Sequence, residues 1–128
     1  MHADVAPFGL LLGTWQGHGR GEYPTIESFT YADEWEFTQN GRPFIQFSER
    51  TWNGEGQAMH VETGYLRIIS PGVIEIVGSL PTGQAECGRG TVSTAPLQIH
   101  TDATVQNTGT AKRVDRIVRR FSVHGDQL

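Results

Sequence analysis

Turn signals cut this chain at intervals too short for long helices and well suited to strands. Asn40-Gly41, Asn53-Gly54-Glu55-Gly56, Ser70-Pro71-Gly72 and Pro81-Thr82-Gly83 follow one another, and 16 glycines and 6 prolines in 128 residues supply such breaks throughout. Short segments at near-regular spacing between turn residues are the signature of an all-β sandwich or barrel. Residues 29–38 show the matching alternation. Phe29, Tyr31, Trp35 and Phe37 face one way, and Thr30, Glu34, Glu36 and Thr38 the other. Asn40-Gly41 then predicts a two-residue type I′ hairpin, whose central residues both need positive φ.

Further strands are expected over 42–52, 57–70, 73–80, 84–90, 92–99 and 101–106, after a turn of helix in the apolar run 7–12. Val114, Ile117, Val118 and Phe121 fit the helical template better than strict alternation. Their β-branching and all-β company predict a strand instead. A meander of eight to ten strands leaves exposed edges unless it closes, and a closed barrel of that size encloses room for one small ligand. The expected fold is therefore all-β, an antiparallel β-barrel with residues 1–128 as one domain.

Composition narrows the classes of function. Hydrophobic residues make up 37% and charged residues 19%, which describes a chain that folds rather than one that stays disordered. A formal charge of −4 gives no attraction to a phosphate backbone, so no nucleic-acid partner is expected. The densest basic run, Lys112, Arg113, Arg116, Arg119 and Arg120, is interrupted by Asp115 and reads as one solvated strand face. Cys87 is the single cysteine, so no intrachain disulfide forms. No stretch is long and apolar enough to span a bilayer and the start lacks a basic leader, so a cytoplasmic location without membrane contact is expected.

Glycines two apart mark the stretch Gly13-Thr14-Trp15-Gln16-Gly17-His18-Gly19-Arg20-Gly21. No Lys-Ser/Thr follows, so it is not a phosphate loop. On a strand these glycines bare one face of the backbone, which suits either sharp bending or close approach of a ligand. His60 and Glu62 share a strand face, but an H-x-E zinc deaminase needs a P-C-x-x-C partner that this chain lacks. A generic metal site would require His18 or His100 to converge with His60, which nothing in the spacing demands. No metal site and no catalytic acid or base is therefore read, and His60 alone reads as a hydrogen-bonded structural histidine. Met59 and His60 point to opposite faces if their strand is regular.

The ordered strings go further. Gly13, Trp15, Gly17 and Gly19 form a G-x-W-x-G-x-G pattern, followed by Gly21-Glu22-Tyr23-Pro24-Thr25-Ile26. Then come Gly41-Arg42-Pro43-Phe44, Arg50-Thr51-Trp52, the run from Met59-His60-Val61-Glu62 to Arg67, Pro81-Thr82-Gly83 and Ala111-Lys112-Arg113-Val114. Across essentially the whole chain this set resembles the nitrobindin family. The resemblance implies a ten-stranded barrel related in shape to fatty-acid-binding proteins and lipocalins. It implies ferric haem b in a partly open pocket, interaction with nitrogen oxides, and isomerisation of peroxynitrite to nitrate. It places Thr25 at the haem, Met59 and His60 along the cavity, and Lys112 beside a propionate, as an ammonium–carboxylate pair.

Family members continue past the Gly125-Asp126 turn into a last strand and a P-x-x-H-L-x-A segment that carries the axial histidine. That segment falls beyond Leu128, so the chain reads either as a C-terminally shortened piece or as a form without that ligand; His124 does not match the family position. Two further functions are expected as alternatives: a haem-free binder or carrier of a fatty acid or other small apolar ligand, and a module whose free barrel edge pairs with a partner strand. Assembly as a homodimer is left open.

Overall fold

The computed structural model describes residues 1–23 and 26–128, with side chains described outside residues 19–29. A single 3₁₀ turn at Ala6–Phe8 precedes eight strands. These are β1 (Gly13–Tyr23), β2 (Ile26–Thr38), β3 (Phe44–Trp52), β4 (Ala58–Ser70), β5 (Val73–Leu80), β6 (Gln84–Thr94), β7 (Leu97–Asn107) and β8 (Arg116–Ser122). Every consecutive pair is antiparallel, and the order in the sheet is the order in the chain. Among the described residues β1 pairs only with β2 and β8 only with β7, so the sheet curls into a half-barrel. Where the resemblance implies ten strands, the described residues form eight. A cleft of about 460 Å³ lies in the seam, walled by Trp15, Trp35 and Phe121.

Most strands fall where alternation puts them, including the ambiguous last one: residues 116–122 are a strand. Two turns differ from expectation. Asn40 does not adopt positive φ, only Gly41 does (+88°), and β2 and β3 are joined by a longer loop rather than a type I′ pair. Gly41 N–H instead donates to the Gln39 side chain, an Asx-like local bond that competes with the tight hairpin. The expected 92–99 strand is broken at Ala95-Pro96, because proline has no N–H to give the ladder. By contrast Pro71-Gly72 turns β4 into β5 as expected, with Gly72 at φ +78° in the position that favours glycine.

The inner face is set by period-two burial. Phe37, Ile45, Phe47, Leu66, Ile74, Ile76, Leu97 and Ile99 are buried along it, while their neighbours in sequence are exposed or half-buried. Phe121 on β8 packs edge-on against Trp35 and Phe37 of β2, with ring centroids 5.1 and 5.8 Å apart. That contact holds the last strand over the second and so sets the curl. Sharp curvature between β6 and β7 depends on Gly88 and Gly90. A Cβ at Gly88 would come within 2.2 Å of the Asp102 carbonyl, and one at Gly90 within 2.1 Å of the His100 carbonyl. At Gly17 a Cβ would meet nothing within 4 Å, so bending is not what that glycine provides.

The two ends of the curl differ. Val5, Phe8 and Leu11 are buried against the end that holds the β2–β3, β4–β5 and β6–β7 turns, and the Trp15 indole N–H donates to the Leu11 carbonyl at 2.8 Å. The opposite end, beside the β3–β4 and β5–β6 turns and the β7–β8 loop, has no such plug among the described residues. Inward positions there are half-buried rather than buried: Tyr31, His60, Leu80, Val105 and Ile117. The concave face is a cup.

Phe121→Ala removes the ring that clamps β8 to β2. It is expected to destabilise the fold by about 3–5 kcal/mol, measured by urea unfolding followed through tryptophan fluorescence. A loss below about 1 kcal/mol would show that the curl does not depend on that ring.

Candidate functional site

Between the apolar core and the rim of the cup lies a layer of charge built on four inward-facing strand positions. Arg119 follows the register of Ile117 and Phe121 on β8 and points inward. Its guanidinium grips Glu86 of β6 in a two-pronged pair, Nε to Oε2 and Nη2 to Oε1, each 2.9 Å. Its remaining arm donates to Glu62 of β4, and the cation lies 5.7 Å from the Phe47 ring centroid. Glu86 is fully buried and Glu62 nearly so. Bidentate geometry with good burial is what makes such an ion pair hold its charges so far from water.

Glu62 carries the layer to the rim. Its second oxygen is 3.0 Å from His60 Nε2, and the His60 side chain is 34% exposed. Carboxylate and imidazole thus form an oriented pair facing the cup. Burial alone would push the Glu62 carboxyl up, but hydrogen bonds and charge from Arg119, helped by His60, hold it below its ordinary value. Burial would likewise lower Arg119, and the two carboxylates instead raise it. Glu49, inward on β3, has no such partner among the described residues. Burial first, then Asp33 and the Glu62 charge, push its carboxyl from 4.5 up to about 8. It is a neutral acid at neutral pH.

Of the residues singled out in the sequence, His60 lies on the inner face at the rim. Met59 is the extra residue of a bulge, since Thr51 pairs with His60 and Trp52 with Ala58. The regular alternation that would send Met59 and His60 to opposite faces is interrupted there, and Met59 is 46% exposed. Lys112 is exposed in the β7–β8 loop at the same end. Its carbonyl accepts from the buried Gln84 side chain at 2.6 Å, and Asn107 clasps Val114 through two further hydrogen bonds. Thr25 lies outside the described residues. Gly13 opens β1, Trp15 packs against the core, Gly17 lines the seam, and Gly19 pairs with Tyr31 in the ladder.

The remaining histidines and the basic run lie as follows. His18 and His100 are exposed and do not converge with His60. His124 is bridged to Gln127 beyond β8, at the plugged end and away from the cup. The basic run is a solvated face for Arg113 and Arg116, which pair with Asp115 and Asp102, but not for Arg119. The charge layer escaped sequence reading because its members come from β3, β4, β6 and β8. One signal was present: Ile117, Arg119 and Phe121 share a strand face, so an arginine occupied a core position.

Residues 4–128 match the family described as the THAP4-like, heme-binding beta-barrel domain. A protein named peroxynitrite isomerase from Nocardia farcinica is 42% identical over 132 residues, covering all of this chain and 79% of its own length. Peroxynitrite isomerase 2 of Mycobacterium ulcerans is 41% identical over 133 residues, covering all of this chain and 82% of its own. The crystal structure of Rv2717c from M. tuberculosis superposes with a TM-score of 0.89 at 33% identity, over 98% of this chain and 82% of that one.

Two outcomes follow from the charge layer. Among the described residues, Arg119→Met leaves Glu86 without a partner and Glu62 with His60 alone, and it is expected to cost on the order of 3–5 kcal/mol at pH 7, measured by urea unfolding. Glu49 works in the opposite direction. Its folded form keeps a proton that the unfolded chain gives up above 4.5, so its contribution to stability falls as pH rises from 4.5 to about 8. Glu49→Gln should therefore raise the melting midpoint at pH 8.5 by roughly 5 °C and leave it nearly unchanged at pH 5. An equal shift at both pH values would show that the charge of Glu49 is not the cause.

Proposed function

This chain belongs to the family of THAP4-like, heme-binding β-barrel domains, and from that premise we propose that its cup takes ferric haem b and that the loaded protein converts peroxynitrite to nitrate. One observation carries the proposal. The rim combines half-buried aliphatic side chains, Leu80, Val105 and Ile117, with a single oriented imidazole, His60. Apolar walls with few fixed polar groups are what a flat, largely hydrophobic cofactor requires. The names of the relatives, peroxynitrite isomerases at about 40% identity along the whole chain, supply the reaction.

The residues present fit such a group. Gly17, with no atom within 4 Å of an added Cβ, leaves the backbone of β1 open to close approach. The free Lys112 ammonium stands at the open end, on a loop stapled by Gln84 and Asn107, where it can pair with a propionate. Thr25 and Met59 complete the proposed set around the ligand. When bound, haem would supply an electrophilic iron centre. The protein's part is positioning. Leu80, Val105 and Ile117 keep water from the flanks of the site, and Glu62, itself held by Arg119, fixes the His60 ring. His60 Nδ1 has no partner among the described residues, so it can exchange a hydrogen bond with an oxygen anion in the cup.

Titrating hemin into the full chain is expected to give a saturable Soret shift at one haem per chain, and Leu80→Glu should abolish it by placing a charge in the apolar wall. Stopped-flow decay of peroxynitrite should accelerate only with the loaded protein. An unshifted Soret band together with a retained or exchangeable fatty acid, detected by mass spectrometry, would replace the haem function with that of a carrier.

A further inference from the structure

Beneath the rim, carboxylates outnumber cations. Among the described residues Asp33, Glu49, Glu62 and Glu86 meet in the half-barrel with Arg119 as the one permanent cation, and Arg119 is already taken by Glu62 and Glu86. Glu49, His60 and Glu62 each offer a ligand atom, and these atoms all lie within 4.8 Å of one another. We propose that Glu49, His60 and Glu62 form a divalent-cation site in the floor of the cup, for an ion of the class that takes mixed nitrogen and carboxylate donors, such as Mn²⁺, Fe²⁺ or Zn²⁺.

The spacing supports this. His60 Nε2 and Glu62 Oε2 are 3.0 Å apart. Two donors bound at right angles to one ion, each at about 2.1 Å, are separated by about 3.0 Å. A cation can thus replace the proton between them with little movement of either side chain. All three ligands stand on strands rather than loops, on the adjacent pair β3 and β4. The other oxygen of Glu62 is anchored by Arg119, which Glu86 holds in turn, so the site has the supporting shell that metal ligands need.

Asp33 stands beside the site. Asp33 Oδ1 is shielded from solvent and has no hydrogen-bond partner among the described residues, while its other oxygen accepts from the Trp35 indole. Asp33 lies within hydrogen-bonding reach of Glu49. A buried acceptor without a donor is costly. The protonated Glu49 carboxyl is the donor within its reach, and an ion that displaced that proton would carry a water able to donate in its place. Glu49 and Glu62 lie below the apolar ring, and His60, at the rim, joins them through Nε2.

The test uses the full, untagged chain, stripped with EDTA and dialysed. MnCl₂ is titrated while free Mn²⁺ is followed by electron paramagnetic resonance, with ZnSO₄ as competitor. The expected result is one Mn²⁺ per chain, displaced by Zn²⁺, with affinity reduced at least tenfold in Glu49→Gln and in His60→Gln. Glu55→Gln, in an exposed turn at the same end, should bind as the parent does. Glu49→Gln replaces a half-buried carboxyl with an amide of the same shape and so should fold. Melting midpoints with and without Mn²⁺ provide a second reading, with a rise expected in the parent and none in that variant. Absence of stoichiometric binding overturns the proposal, as does binding with unaltered affinity in both variants. Hemin uptake measured on the same samples reports on the haem cup separately.

Discussion

Arg119 is the residue through which the interior of this protein is joined. It is carried by the last strand, yet its guanidinium bonds to the fourth and the sixth, across the hollow of the curl. An unpaired guanidinium or carboxylate at that depth would cost several kcal/mol, so each of the three charges requires the other two. Phe121, one turn of the alternation away, repeats the reach in apolar form by packing on Trp35 and Phe37. These two side chains bring β8 over the sheet without any ladder joining it to β1 among the described residues. The half-barrel keeps its shape through its contents rather than through closure of its edges.

The same layer divides the interior into two media. On one side is a dry apolar core plugged by Val5, Phe8 and Leu11. On the other is a cup whose walls are partly wet and whose floor is acidic. Glu62 belongs to both, accepting from Arg119 below and facing His60 above. The orientation of the imidazole at the rim is thus inherited from the ion pair that holds the barrel together. Stability and ligand chemistry meet in one carboxylate, and the neutral acid at Glu49 beside it marks where negative charge has accumulated beyond what Arg119 can balance.

Much of the architecture was legible because strands have a period of two. The alternation in residues 29–38, the Pro71-Gly72 turn and the apolar register of β5 each translate directly into the observed sheet. Errors arose where local chemistry had a choice. Asn40-Gly41 favoured a tight hairpin, but the Gln39 side chain bonds the turn and Asn40 stays at negative φ. Pro96 ended a strand that propensity alone would have continued. At Met59 a bulge broke the regularity on which the placement of neighbouring side chains rested, and a bulge leaves no reliable mark in one sequence.

By itself the sequence determined the strands, their order and the face each residue presents, because these depend on neighbours within one or two hairpins. It also carried the ordered strings by which the family is recognised. Tertiary structure alone decided which end of the curl is plugged and which is open. It alone brought Glu49, Glu62, Glu86 and Arg119, separated by up to 70 positions in the chain, into one layer. Alternation says that a side chain points inward but not how far round the curl its partners lie. That distance is fixed by sheet twist and curvature, which belong to the whole sheet rather than to any segment of it.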